Sequence, residues 1–363
     1  MTPKPVVLLL GKLPPPFMGP AIATKILLES DLRNHFQLLH LDTRLNASLD
    51  EMGKWSFGKV LRNLRLFTRL AGICISRRPR LVLIPISQSV TGFMKDFACI
   101  VICKLTGRKI LLQLRGSNFK NMVDHSAGWF RWIVKKSMSW SVGMIVLGDN
   151  LKKLFTGYFP GDKIFVIPNG GDFEFPSRAG HEKVRFLFLS NLFEAKGITD
   201  VTEASKLMNE QYAGQFEVMV AGKWLDENTK NSCMQLVSSN NLPVNFYSAD
   251  SETEKLGHFS KADVFVFPPR DPEGHPWVLV EAMAAGLPII ATDKGAITES
   301  VIHGDNGFIV PDCSPAAICN GMEQMLSAEA RSRMGHRSRE LYIEKFTEAR
   351  MVEKYIRCFN ALV

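Results

Sequence analysis

Residues Pro268 to Thr292 read PPRDPEGHPWVLVEAMAAGLPIIAT, and the four residues before them, Val264 to Phe267, are all apolar. The apolar run predicts a buried strand. Prolines at 268, 269, 272 and 276 then constrain a loop, Trp277 to Ala285 follows a helical pattern, and Gly286-Leu287-Pro288 leads into a second apolar run. Pro276 suits the first helical position, where no amide is required, and a glycine followed closely by proline stops a helix. Two carboxylates stand out, Glu273 in the loop and Glu281 about one turn into the helix. The backbone amides of Gly274 to Val278 precede or open the helix and form a ready anion site. A group on those amides and one on Glu281 are separated by about 6 Å of helix rise. The pyrophosphate and ribose of a nucleotide fit that spacing.

Outward from this stretch, the chain alternates strands and helices twice over. In the N-terminal half the apolar runs are 6–10, 36–41, 81–86, 109–114, 143–147 and 163–167; in the C-terminal half they are 184–190, 216–221, 244–247, 264–267, 287–291 and 307–310. Helix-length segments separate them, which implies right-handed crossovers and parallel sheets. At 363 residues and 46% hydrophobic content, two domains are expected over one. The join falls in the turn-rich Pro168-Asn169-Gly170-Gly171-Asp172. Helical patterns continue from Pro315 to the C-terminus.

Seven cysteines form no C-x-x-C pair, and an odd number argues against a disulfide framework, so free thiols in a reducing cytoplasm are expected. Val6 to Leu10 is shorter than a signal core or the ~20 residues of a membrane span and reads as a first strand. The net charge of +8 hides an asymmetry: residues 1–168 carry 25 Lys and Arg against 9 Asp and Glu, the remainder 19 against 27. The basic half should meet an anionic partner. Nucleic acid is not expected, for no zinc-finger spacing or RNP-like motif occurs. An anionic membrane surface is the favoured partner. Between Trp55 and Ser76, Val60, Leu61, Leu64, Phe67, Leu70 and Ala71 recur at helical spacing beside Lys54, Lys59, Arg62, Arg65 and Arg69. Such a helix either lies in a membrane interface or buries its stripe against the sheet.

E-x7-E followed by AMAxGLPxxAT resembles the signature of the retaining family-4, or "group 1", glycosyltransferases. The resemblance is strongest from Lys183 to Asp312. It implies an α/β chain of GT-B type, with two Rossmann-like parallel-sheet domains facing a central cleft: an acceptor domain at 1–168, a donor domain at 169–345, and a last helix near 346–363 returning to the first. By the same resemblance Glu273 contacts the donor sugar, Gly274, His275, Pro276 and Trp277 lie along its pyrophosphate, and Glu281 holds its ribose. In LFLSNLFEAKG (187–197), Lys196 matches a cation that neutralises the leaving pyrophosphate, whereas Asn191 stands where an arginine is usual. In ILLQLRGSNF (110–119), Arg115 replaces a histidine and is expected to supply the cation missing at 191, with Asn118 on the acceptor side. Gly19, in GKLPPPFMGP (11–20), is the expected equivalent of a glycine near the donor phosphates.

G-x-G-x-x-G, D-x-D, H-E-x-x-H and G-x-S-x-G are all missing. A nicotinamide cofactor, a metal and the hydrolases of those types are therefore not expected. The expectation is a metal-independent transferase without a cofactor, cytoplasmic and peripheral at the inner membrane face. It would move a sugar from a nucleotide-diphosphate donor to a glycan or lipid-linked acceptor in envelope polysaccharide synthesis. The alternatives are a non-catalytic sugar-nucleotide or lipid-surface binding protein and a nucleotide-sugar epimerase of the same fold.

Overall fold

The structure, a computed structural model, describes residues 3–15, 19–44, 57–177 and 180–363. It forms two compact units, Met1–Asn169 with Glu348–Val363, and Gly170–Thr347.

The first unit contains a parallel sheet in the order β2-β1-β3-β4-β5-β6. Its strands are β1 (Val6–Gly11), β2 (Gln37–Asp42), β3 (Leu81–Ile86), β4 (Lys109–Leu114), β5 (Gly143–Val146) and β6 (Ile164–Val166). The inner strands are almost wholly buried, as a parallel sheet covered on both faces requires. Its helices are α1 (Gly19–Glu29), α2 (Leu32–His35), α3 (Phe57–Ser76), α4 (Val90–Leu105), α5 (Phe119–Asp124) and α6 (Gly128–Ser139). The C-terminal helix α13 (Glu348–Asn360) also belongs here. It carries Met351, Val352, Tyr355, Cys358 and Phe359 on one stripe and buries them with Val7, Leu9, Leu81 and Leu111, which is why so polar a segment docks at all.

On α3 the sequence pattern and the packing differ. Leu66, Leu70 and Cys74 are buried, while Leu61 and Leu64 of the expected stripe are exposed. The helix packs against α4, and its buried residues are spaced i, i+4, i+8 along one row. Lys54 and Trp55, and residues 16–18 of the loop before Gly19, lie outside the described residues.

The second unit's sheet runs β12-β11-β10-β7-β8-β9, all parallel. Its strands are β7 (Val184–Leu189), β8 (Phe216–Ala221), β9 (Val244–Tyr247), β10 (Val264–Phe267), β11 (Ile289–Ala291) and β12 (Gly307–Ile309). Its helices are α7 (Ile198–Tyr212), α8 (Glu227–Ser239), α9 (Glu252–Lys261), α10 (Trp277–Ala284), α11 (Pro315–Gln324) and α12 (Ala328–Lys345). One core lies on each face of the sheet. From β7 the chain builds outward through β8 and β9, then returns to β10 on the other side. The order therefore reverses between β7 and β10, and ligands of such sheets bind beyond the carboxyl ends of the strands at that reversal.

Candidate functional site

The loops leaving β7 and β10 emerge side by side because those strands are neighbours. After β7 the chain passes Asn191, turns through a short 3₁₀ segment at Glu194–Lys196 and enters α7 at Gly197. Gly197 has φ +84°, and a Cβ there would sit 2.0 Å from the Pro268 carbonyl oxygen. Glycine alone allows the two loops to touch.

The proline loop is held along its length. Thr292 Oγ1 donates to the Pro269 carbonyl at 2.7 Å, and the Arg270 amide donates to the Ala195 carbonyl at 2.9 Å. The Arg270 guanidinium grips buried Asp200 through two bonds of 2.8 Å, reaches Thr199 Oγ1 at 3.0 Å and pairs with Glu194. On the other side, Gly295 (φ +60°) passes so close that an added Cβ would lie 1.5 Å from the Glu273 carbonyl oxygen. The Ala296 amide donates to the Gly274 carbonyl at 2.9 Å. With so many fixed backbone atoms, Glu273 is placed by the loop rather than by its own rotamer.

Glu273 and Lys196 meet in an ion pair, both partly buried. The carboxylate accepts, the ammonium donates, and the two oppositely charged tips occupy one spot at the switch point. The loop then enters α10 with Pro276 as its extended N-cap residue and Trp277 as its first residue, buried. The His275 ring is buried; its Nε2 lies 2.7 Å from Ser300 Oγ and it stacks on Phe346 at 5.0 Å between centroids. Its side chain is thus part of the core, and only its backbone remains for the donor role expected of it.

Glu281 is 1% exposed on the inner side of α10. Lys255, on α9, donates to its Oε1 at 2.6 Å, while its Oε2 is buried without a hydrogen-bond partner. Burial pushes the Glu281 carboxyl above its ordinary value; Lys255 pulls it back and Glu252 adds to the rise. Lys255, Arg270 and Gly295 were not singled out in the sequence. Arg270 and Gly295 had signals, a lone cation in a proline loop and an Asp-Lys-Gly turn; Lys255 sits in an ordinary polar helix and had none.

In the first unit, Arg115 follows β4 and is half-buried. Its guanidinium lies beside the Tyr355 hydroxyl of α13, which accepts from Gln113 Nε2 at 2.6 Å, and its Nε is buried without a hydrogen-bond partner. Burial lowers the Arg115 pKa, and Tyr355 opposes that shift. Asn118 is exposed, its amide donating to Gln88 Oε1 at 2.6 Å. Gly19 opens α1. The second unit thus brings together Lys196, Glu273, Gly274, Pro276, Trp277 and Glu281, with Asn191 exposed in the same β7 loop.

Residues 171–341 match the family model described as glycosyl transferases group 1. The chain is 28% identical to spore coat protein SA of Bacillus subtilis over 50% of this chain and 49% of that protein. It is 27% identical to the amylovoran biosynthesis glycosyltransferase AmsK of Erwinia amylovora over 41% of this chain and 38% of that protein. The chain spans about half the length of the curated relatives it matches. Among solved structures it resembles Alr3699/HepE of Anabaena in complex with UDP-glucose, with a TM-score of 0.73 and 15% identity over 98% of this chain and 100% of that one. The fold is GT-B, two Rossmann-like parallel-sheet units in one chain.

Proposed function

We propose that this protein is a retaining glycosyltransferase of the group 1, family-4 type that transfers a hexosyl or related sugar from a nucleotide-diphosphate donor to a glycan or lipid-linked acceptor in envelope polysaccharide synthesis. The observation that carries this reading is the pair of carboxylates on one clamped loop and helix, Glu273 against Lys196 and, eight residues on, the buried Glu281 with an unfilled acceptor oxygen. The match of residues 171–341 to the group 1 model supports it independently. Glu273 accepts hydrogen bonds from the sugar, Lys196 and the amides opening α10 receive the diphosphate, and Glu281 takes the ribose.

In the reaction the bond from the anomeric carbon to the diphosphate oxygen breaks, the acceptor hydroxyl attacks from the same face, and its proton passes to the departing phosphate. Charge grows on that phosphate, and a positioned cation stabilises it in the transition state. Lys196 is that cation, and Arg115 adds a second in place of one at Asn191. Asn118 serves the acceptor. No cofactor or metal takes part, so chelation should leave turnover unchanged.

The first unit is assigned to the cytoplasmic face of an anionic membrane. Residues 57–140 carry 16 Lys and Arg against Asp96 and Asp124 alone. On α6, Trp129 and Trp132 are each 57% exposed beside exposed Arg131, Lys135 and Lys136. On α3, exposed Leu61, Leu64 and Ile75 lie among exposed Arg65 and Arg69. Aromatic bodies with cationic neighbours suit the headgroup region. Among the described residues no helix is long and apolar enough to cross a membrane.

A thermal-shift comparison of UDP-, GDP- and ADP-glucose tests the central reading, because stabilisation follows ligand affinity by mass action. One nucleotide is expected to raise Tm, and Glu281→Gln to remove most of the rise. No shift with any of the three at millimolar concentration would overturn it. Slow donor hydrolysis without acceptor distinguishes an enzyme from a binder, and a C2-inverted sugar would point to an epimerase.

A further inference from the structure

We propose that Lys255 is the positioning residue of the ribose site: it keeps Glu281 ionised and fixed so that Oε2 accepts a ribose hydroxyl and a donor lacking that hydroxyl is rejected. The inference rests on the nucleotide-sugar reading of the second unit and goes beyond it by assigning a residue outside the E-x7-E stretch.

Three observations carry it. First, a carboxylate 1% exposed to solvent, Glu281, has one oxygen on Lys255 Nζ at 2.6 Å and the other on nothing. An unfilled acceptor in a buried site calls for a reason, and a hydroxyl donated by a ligand supplies one. Second, Lys255 is itself held. Ser251 caps α9 by accepting from the Glu254 amide at 3.1 Å, the Lys255 amide donates to the Ser251 carbonyl at 3.1 Å, and Leu256 and Phe259 anchor the helix in the core. The Glu254 carboxylate accepts from the Asp250 amide at 3.0 Å, and Lys255 pairs with Glu281.

Third, among the described residues no second cation is seen acting on Glu281. Glu252, also on α9, pushes its carboxyl toward the neutral form. On α12, which packs against α10, Arg339 donates to the Ala284 carbonyl and covers the Tyr342 ring at 4.9 Å. Lys196 pairs with Glu273, and the His275 ring with Ser300. Removing the lysine therefore leaves burial and Glu252 to protonate Glu281, and a neutral carboxyl no longer offers two acceptor oxygens.

Lys255→Met keeps the length and removes the charge. The probe is whichever of UDP-, GDP- or ADP-glucose binds, together with its 2′-deoxyribose counterpart. Their diphosphate diesters have no proton to lose between about pH 6 and 8.5, so a change of affinity there belongs to the protein. Wild-type protein should bind the ribose donor with a weaker pH dependence than the variant and reject the deoxy form. The variant should bind the ribose donor at least ~10-fold more weakly at neutral pH, since each pKa unit above the assay pH costs about tenfold in ionised fraction. Its affinity should recover as pH rises and its preference for ribose should shrink. Its folding stability should move the opposite way. A carboxyl raised further above 4.5 in the folded state stabilises at low pH, and that contribution is lost as pH rises through the raised value. General damage would not give the two opposite slopes.

Lys255→Arg should restore wild-type behaviour, and Lys255→Met combined with Glu281→Gln should bind no more weakly than Glu281→Gln alone. A folded Lys255→Met protein with wild-type affinity and the wild-type pH profile overturns the assignment, as does full additivity in the double variant. If the wild-type protein binds none of the three nucleotides, the site reading fails, and the role of Lys255 with it.

Discussion

Gly295→Ala is the sharpest probe of how the proline loop is held. At φ +60° an L side chain costs about 1–2 kcal/mol. The new methyl would also start 1.5 Å from the Glu273 carbonyl oxygen, where an ordinary contact lies beyond 3.4 Å. The backbone at Glu273 must then give way by nearly 2 Å, for a further cost of about 1–3 kcal/mol. Gly304→Ala is the control: its φ of +79° carries the same backbone cost, but nothing lies within 4 Å of its added Cβ. At roughly 2–4 °C per kcal/mol for a body of this size, Gly304→Ala should lower Tm by about 2–8 °C, and Gly295→Ala should add roughly 2–12 °C to that. The second readout separates site from scaffold. Misplacing a reacting group by ~1 Å can cost about 10²-fold, so Gly295→Ala should lose about that much donor affinity or turnover, measured by calorimetric titration and product formation, while Gly304→Ala keeps both. A folded Gly295→Ala protein binding donor within twofold of the control would refute the claim that this glycine positions Glu273.

Four further outcomes are expected. Arg270→Met strands Asp200 as a buried unpaired carboxylate and should cost about 3–5 kcal/mol in chemical denaturation, with Arg270→Lys intermediate because it loses the bidentate geometry; a loss under 1 kcal/mol would contradict the loop-clamp account. Lys196→Ala should lower kcat by about 10²-fold or more, and equal kcat in mutant and wild type would remove its leaving-group role. Arg115→Ala should reduce turnover of the same donor; if turnover and donor affinity both stay the same while only Tm falls, Arg115 is merely the partner of Tyr355. Trp129→Ser with Trp132→Ser should release the protein from anionic liposomes in flotation, each ring contributing about 1.5 kcal/mol or tenfold, and equal failure of the wild-type protein to bind anionic and neutral liposomes would end the membrane assignment.

The sequence foresaw the elements better than the contacts between them. Each of the twelve apolar runs corresponds to a strand among the described residues, with ends differing by at most two positions, because buried parallel strands are predominantly apolar and that shows without tertiary information. Helix α10 begins at Trp277 as expected and stops at Ala284, with Gly286 left-handed just beyond. Position along a helix face was less visible. On α3, Leu61 and Leu64 face outward while the row of Leu66, Leu70 and Cys74 is buried, and no intrinsic preference distinguishes two apolar rows on one helix. His275 drew attention as a polar residue in the signature loop, yet Ser300 and Phe346, distant in sequence, draw its ring inward. Lys255 escaped notice for the same reason: its meaning comes from a partner 26 residues away.

The two carboxylates of the E-x7-E pair are each matched to a lysine, but the two pairs are not equivalent. The lysines are alike, Lys196 with 23% and Lys255 with 19% of the side chain in contact with solvent, but Glu273 keeps 16% and Glu281 only 1%. Glu273 stays within reach of water, so exchanging partners for a sugar hydroxyl and a phosphate costs less there than it would at Glu281. In the buried pair separation would strand a charge, so Lys255 and Glu281 stay together and only the unfilled Oε2 changes on binding. The donor should therefore rearrange the protein at its reactive end and meet a prebuilt surface at its nucleotide end. On the proposed reaction, that division places the adaptable pair where charge moves during transfer and the rigid pair where the donor is recognised.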